Sequence, residues 1–169
     1  MTKKRKTNSV TNLKSALIDL LLEMEYSKIT IGNITQRANV SRGTFYQHFL
    51  DKDDLAYSIG TETMQRFWEI LAQGNLDKED MLLKALLLIK NDYKHFKAIS
   101  KAPHVQFKDK VQQLICDLIN NNPAIREKIK KKTKISDEIV IKAFSTSFET
   151  IISSWIDNDL SESPEKVVD

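Results

Sequence analysis

Glycine and proline are scarce in this chain, four and three among 169 residues. A β-rich fold needs them at its turns, so the shortage argues against a turn-rich β fold and favours long helices joined by short loops. There is one cysteine, Cys116, which excludes an intramolecular disulfide framework and suits a reducing cytoplasm. No apolar run approaches the ~18 residues that a membrane-spanning helix requires. The basic start, MTKKRKTNSV, runs into an apolar segment interrupted by Asp19, Glu23 and Glu25. That pattern is an amphipathic helix and not a signal peptide, so a cytoplasmic protein without a membrane partner is expected. Glycine-rich phosphate loops, paired carboxylates beside a histidine and a nucleophile elbow are absent too, which argues against an enzyme. His95 and His104 lack ligand spacing with each other or with Cys116, so neither a metal nor a cofactor is expected.

What is present is an ordinary soluble composition, 41% hydrophobic and 29% charged, in a chain long enough for one domain or two small ones. The net charge of +3 hides an asymmetry. Residues 1–52 carry nine Lys/Arg against four Asp/Glu, whereas residues 53–169 carry 17 against 19. A basic first third on a slightly acidic remainder suggests a polyanionic partner for that first third.

Hydrophobic spacing gives the elements. Residues 1–8 read as a disordered basic tail. Leu13, Ala16, Leu17, Leu20, Leu21 and Met24 then form one face of a helix from about Ser9 to Tyr26. Thr30 caps a short second helix that buries Ile31, Ile34 and Ala38, and Asn39, tolerant of left-handed backbone angles, ends it in a tight turn. Ser41 caps a third helix with Phe45 and Phe49 inward. Asp51 caps a fourth, in which Asp53 and Asp54 complement the helix dipole and Leu55, Ile59, Phe67 and Leu71 form the buried face, until Gly74-Asn75 breaks it. Met81–Ile89 is apolar almost all round and reads as central in a core. Pro103 opens a helix with a buried stripe of Phe107, Val111, Leu114, Ile115 and Leu118. Residues 120–134 read as a polar connection with a solvated basic run, KIKKKTK, at 128–134. A last long helix follows, and Ser163-Pro164 opens a short one. Trp68 and Trp155 read as core or interface, and Cys116 as an inert buried thiol.

Three short helices and a longer one, with a turn at Ala38–Val40, make a helix-turn-helix. Periodicity alone leaves any small three-helix bundle open; the polar residues of the third helix favour the former. With Phe45 and Phe49 inward, Arg42, Thr44, Gln47 and His48 point elsewhere, without an obvious core role. An arginine can fork onto guanine, a glutamine can bridge adenine, and a threonine methyl can meet that of thymine. Gly43 removes a side chain where the helix would press on a duplex. Tyr46, His48 and Lys52 suit phosphate oxygens.

The stretch ITIGNITQRANVSRGTFYQHFLDKDDL is similar to the DNA-binding domain of the TetR family of bacterial transcriptional regulators. The family pattern is carried by Thr30, Ala38, Val40, Ser41, Gly43, Thr44, Tyr46, His48, Phe49, Lys52 and Leu55 without gaps. Asn39 stands where the family usually has glycine, and Gly32 is an unusual residue in the second helix. The resemblance covers roughly residues 9–60. It implies an all-α chain: a helix-turn-helix domain at 9–55 joined by a long helix to a helical effector-binding and dimerisation domain at 56–169. It further implies a homodimeric regulator, by default a repressor, on a near-palindromic double-stranded DNA operator. The DNA contacts would be Thr30, Ser41, Arg42, Gly43, Thr44, Tyr46, Gln47, His48 and Lys52. A small-molecule effector would lie among Phe67, Tyr93, Phe96, Phe107 and Phe148. The dimer interface is expected on Val140, Phe144, Ser147, Phe148, Ile151, Ile152 and Trp155, a stripe wider than one intramolecular neighbour needs. The rival reading is a helical ligand- or protein-binding regulator that has lost its operator.

Overall fold

Local signals set the first four helices, as a computed structural model describing residues 2–71, 78–130 and 135–168 shows. Helix α1 spans Thr2–Glu23, α2 Ile31–Arg37, α3 Arg42–Tyr46 and α4 Lys52–Leu71. Thr30 accepts from the Asn33 amide at 3.1 Å while the Asn33 side chain accepts from the Thr30 amide at 2.9 Å, a reciprocal capping box. Ser41 caps α3 through the Thr44 amide at 3.0 Å, and Asp51 caps α4 through the Asp54 amide at 2.8 Å. Asn39 has φ 54°, with Val40 N–H donating to the Thr35 carbonyl and Asn39 N–H to that of Gln36. These two bonds are the left-handed helix stop expected of an asparagine there.

The remaining helices are α5 (Lys78–Asn91), α6 (Tyr93–Ser100), α7 (Phe107–Asn120), α8 (Pro123–Lys130), α9 (Asp137–Asp157) and α10 (Pro164–Val168). Single 3-10 turns occupy Tyr26–Lys28 and Pro103–Val105, and no strand occurs among the described residues. The chain divides into two compact units: Met1–Glu62 with Lys94–Phe107, and Thr63–Tyr93 with Lys108–Asp169. The division therefore falls inside α4, later than the expected boundary at residue 55, and the first unit also takes in a later segment.

In the first unit α1 packs on α2 and α2 on α3. Leu13, Leu17, Leu21, Ile34, Phe45 and Leu55 are essentially inaccessible to water. Each contributes roughly 1.5–3 kcal/mol of transfer free energy, so this small bundle is held chiefly by its core. Arg37 and Glu23 join the ends of α2 and α1 by two parallel bonds of 2.8 and 2.6 Å, which hold the Glu23 carboxyl below its usual range.

In the second unit α5 packs on α10 and α8 on α9. Its core includes Phe67, Leu71, Leu86, Ile89, Val111, Ile115, Ile119, Ile152 and Ile156. Helix α9 ends in a second left-handed stop, with Asp159 at φ 53° and Leu160 at φ 54°, and the Tyr93 hydroxyl donates to the Asp159 carboxylate.

Several expectations need correction. Helix α1 takes in the segment read as a tail, because TKKRKTNS contains no residue that stops a helix. Ile31 is only half-buried. Between Leu82 and Ile89 the helix is one-sided: Leu82, Ala85, Leu86 and Ile89 are buried while Leu87 faces water. Pro103 opens a 3-10 turn, and Gln106 at φ 54° separates it from α7. The connection at 120–134 contains α8, in which Ile125 is buried. Cys116 is half-exposed and donates to Ser145 Oγ at 3.1 Å. The break at Gly74-Asn75 and residues 131–134 of the basic run lie outside the described residues.

Candidate nucleic-acid interface

Helix α3 is short, and two aromatic anchors fix its orientation. Phe45 and Phe49 are buried, their ring centroids 5.9 Å apart. With that face fixed, Ser41, Arg42, Gly43, Tyr46 and Gln47 are exposed and Thr44 is half-exposed. Tyr46 leans edge-on against Phe45 at 5.4 Å, which supports its ring and leaves its side chain 58% exposed. The side chains of Arg42 and Gln47 make no hydrogen bond or ion pair with a described residue. Ser41 and Thr44 share a hydroxyl–hydroxyl bond of 2.9 Å. A Cβ built on Gly43 would meet Ser41 Oγ at 3.6 Å, an ordinary contact, so the fold itself does not require glycine there.

Two of the expected contacts have other work inside the chain, and a third is partly enclosed. Lys52 Nζ donates to the carbonyls of Tyr26 and Ile29, both at 2.8 Å, and lies 4.2 Å from the centre of the Tyr26 ring. Its ammonium is committed to the α1–α2 connection, whose two carbonyls it satisfies. His48 is half-buried, with Nε2 enclosed and without a partner among the described residues. The Thr30 hydroxyl donates to Asn33 Oδ1 at 2.6 Å within the capping box.

No local pattern in the sequence points to a further cluster beside it. Tyr26 donates its hydroxyl to the Asp53 carboxylate. His104, from the turn after α6, places Nε2 3.5 Å from the other Asp53 oxygen and its ring 5.7 Å from that of Tyr26. Burial first, then the bond to Asp53 and the charges of Asp53 and Asp51, push the Tyr26 hydroxyl far above its ordinary pKa. Asp53 thus does more than complement the dipole of α4.

The expected effector residues separate. Phe96 and Phe107 belong to the first unit, where their rings meet edge-on at 6.3 Å; Phe67, Tyr93 and Phe148 belong to the second. Phe67 and Phe148 are buried. The second unit also has an open cleft of about 600 Å³ between α7, α8 and α9, bordered by Gln112, Cys116, Arg126 and Asp137 and by none of the five aromatics.

The dimer stripe separates as well. Phe148, Ile152 and Trp155 are buried within the chain, and the Trp155 indole donates to the Glu162 carbonyl at 2.9 Å. Their face of α9 is already covered. Val140 and Phe144 are half-exposed and Ser147 and Ile151 are exposed, on the flank of the helix next to that face, where the Phe144 ring meets that of Phe148 at 5.2 Å.

A helix-turn-helix unit with an exposed third helix, followed by a helical second unit, defines a class of DNA-binding regulator. The family described as "Bacterial regulatory proteins, tetR family" matches residues 15–59, and "Transcriptional regulator C-terminal region" matches residues 77–169. The chain belongs to the TetR family of bacterial transcriptional regulators. It is 21% identical to the fatty acid metabolism regulator protein of Bacillus subtilis (strain 168), over 92% of this chain and 88% of that one. Among solved structures, a TetR transcriptional regulator from Streptococcus agalactiae 2603V matches with TM-score 0.77 and 21% identity, over 98% of this chain and 92% of that one. FadR from Bacillus subtilis, solved with stearoyl-CoA, matches with TM-score 0.70 and 15% identity, over 94% and 92%. At these identities the structural likeness is one of fold. Family members are regulators and not enzymes, and no described helix is long and apolar enough to cross a membrane.

Proposed function

We propose that this regulator binds a near-palindromic operator as a homodimer in the cytoplasm, acting by default as a repressor. The observation that carries the reading is the α3 surface: Arg42 and Gln47 are exposed above two buried phenylalanines, and their side chains make no hydrogen bond or ion pair with a described residue. In this reading Arg42, Thr44 and Gln47 meet base edges, Ser41, Gly43 and Tyr46 approach the sugar–phosphate backbone, and Lys52, His48 and Thr30 support the helix from behind. A regulator that had lost its operator would have no use for that surface, so the DNA-free alternative is not favoured. The test is a gel shift with the DNA upstream of the coding region. Arg42→Ala and Gln47→Ala should each weaken binding by roughly 1–3 kcal/mol at one position per half-site. Unaltered binding by both variants would contradict the reading.

The partner subunit is best accommodated on the α9 face of Val140, Phe144, Ser147 and Ile151, where small and apolar side chains remain accessible. For the effector, the second-unit residues Phe67, Tyr93 and Phe148 remain the candidates; the buried phenylalanines would have to repack around a guest. The bound stearoyl-CoA of one relative makes long-chain acyl thioesters the first class to try. A true effector must bind the DNA-free form more tightly, and operator must lower its affinity by the same factor.

A further inference from the structure

Glycine at position 32 is a liability within α2: it lies in the first turn of a seven-residue helix, where alanine is intrinsically better. Nothing among the described residues requires it. Its φ lies outside the left-handed range, and a Cβ built there would meet Thr30 Oγ1 at 3.5 Å and Arg42 Nη2 at 3.9 Å, ordinary contact distances. The second of these neighbours is the informative one. Arg42 is the first residue of α3, and its side chain runs back across the turn so that the guanidinium stands beside the bare Cα of Gly32. A side chain longer than alanine at position 32 would leave α2 into the volume that the guanidinium now occupies.

We propose that Gly32 is a specificity-determining residue: the gap it leaves seats the Arg42 guanidinium against the start of α2 and so fixes the direction from which Arg42 reaches its base. An arginine has many rotamers, and a seat on a neighbouring helix reduces the freedom lost on binding. The base preference credited to α3 therefore depends on a residue of α2 that supplies no chemical group of its own. This inference rests on Arg42 as a base-reading residue, as set out under the proposed function.

Selection of bound duplexes from a randomised pool, followed by sequencing, tests both layers separately. Arg42→Ala should flatten preference at one position of each half-site. Gly32→Gln should change preference at that same position by tenfold or more, leave the others alone, and have no further effect when combined with Arg42→Ala. Gly32→Ala, which only touches the guanidinium, should shift it less. In the free protein, the Arg42 Nε–Hε resonance should move in Gly32→Gln. Gly32→Met replaces Gly32→Gln if the latter melts below the wild type. A wild-type preference in the folded long-chain variant, with Arg42→Ala still flattening its position, would overturn the role of Gly32 alone. Failure of Arg42→Ala to flatten any position would overturn the reading of Arg42 and the proposal with it.

Discussion

Lys52 covers the ring of Tyr26, with Nζ 4.2 Å from its centroid and bonded to the Tyr26 carbonyl at 2.8 Å. A second bond of 2.8 Å reaches the Ile29 carbonyl, so one ammonium closes the connection between α1 and α2 from the start of α4. Hydrogen bonds from a charged donor are worth about 1.5–3 kcal/mol each, less where water competes, as it does at this half-buried site. Lys52→Met should therefore lower unfolding free energy by about 2 kcal/mol in urea titrations. The salt dependence of DNA binding by the folded fraction should stay as it is, since the ammonium is turned inward; a slope reduced by one unit would restore a phosphate contact.

The same pocket makes a prediction in alkali. The Tyr26 hydroxyl is held protonated above its ordinary pKa of 10.0 by burial and by Asp53. Below pH 10 both native and unfolded chains keep the proton, and the stabilisation is fully present. As pH rises past that value the unfolded chain ionises first, so native stability falls. Ultraviolet titration should show one of the four tyrosines ionising only as the protein unfolds. Tyr26→Phe should remove that late step and the part of the alkaline loss that belongs to it.

Asn39 holds a left-handed conformation at φ 54°. Asn39→Gly should raise stability by about 0.5–1 kcal/mol, and Asn39→Val should lower it by more, because a β-branched residue is strained there. Thermal melts of the two variants should move in opposite directions.

The two faces of α9 give different outcomes for neighbouring residues. Ile152 is fully buried in the chain and Ile151 is 37% exposed. Ile152→Asp should therefore unfold the second unit and not merely dissociate a dimer. Ile151→Asp should keep the helical circular dichroism of the wild type, sediment as a monomer and lose operator affinity. A DNA-competent dimer in that variant would place the interface elsewhere.

What the sequence disclosed follows from the range of the interactions involved. The caps at Thr30, Ser41 and Asp51, the stop at Asn39 and the inward pair Phe45 and Phe49 depend on residues three or four apart, and they were readable. The Lys52 bonds reach back 23 and 26 residues, and the pairing of Asp53 with His104 joins the start of α4 to the turn after α6. No local pattern encodes either, so Lys52 read as a phosphate contact. The stripe on α9 divides for another reason: helical periodicity marks an apolar surface without saying which part the chain's own core covers. Phe148 and Ile152 went inward, while Phe144 and Ile151 stayed accessible.

Footprinting of the purified protein on the DNA upstream of its coding region, with the number of protomers bound measured on the same fragment, tests the central claim. A two-fold protein presenting two copies of α3 should protect two inverted half-sites whose centres lie roughly 34 Å apart on one face of the duplex. The expected result is two protomers, or a small multiple of two, on such a site, with protection lost in Arg42→Ala. Protection of a single unrepeated sequence by one protomer, or retention on DNA without any sequence preference, would contradict it.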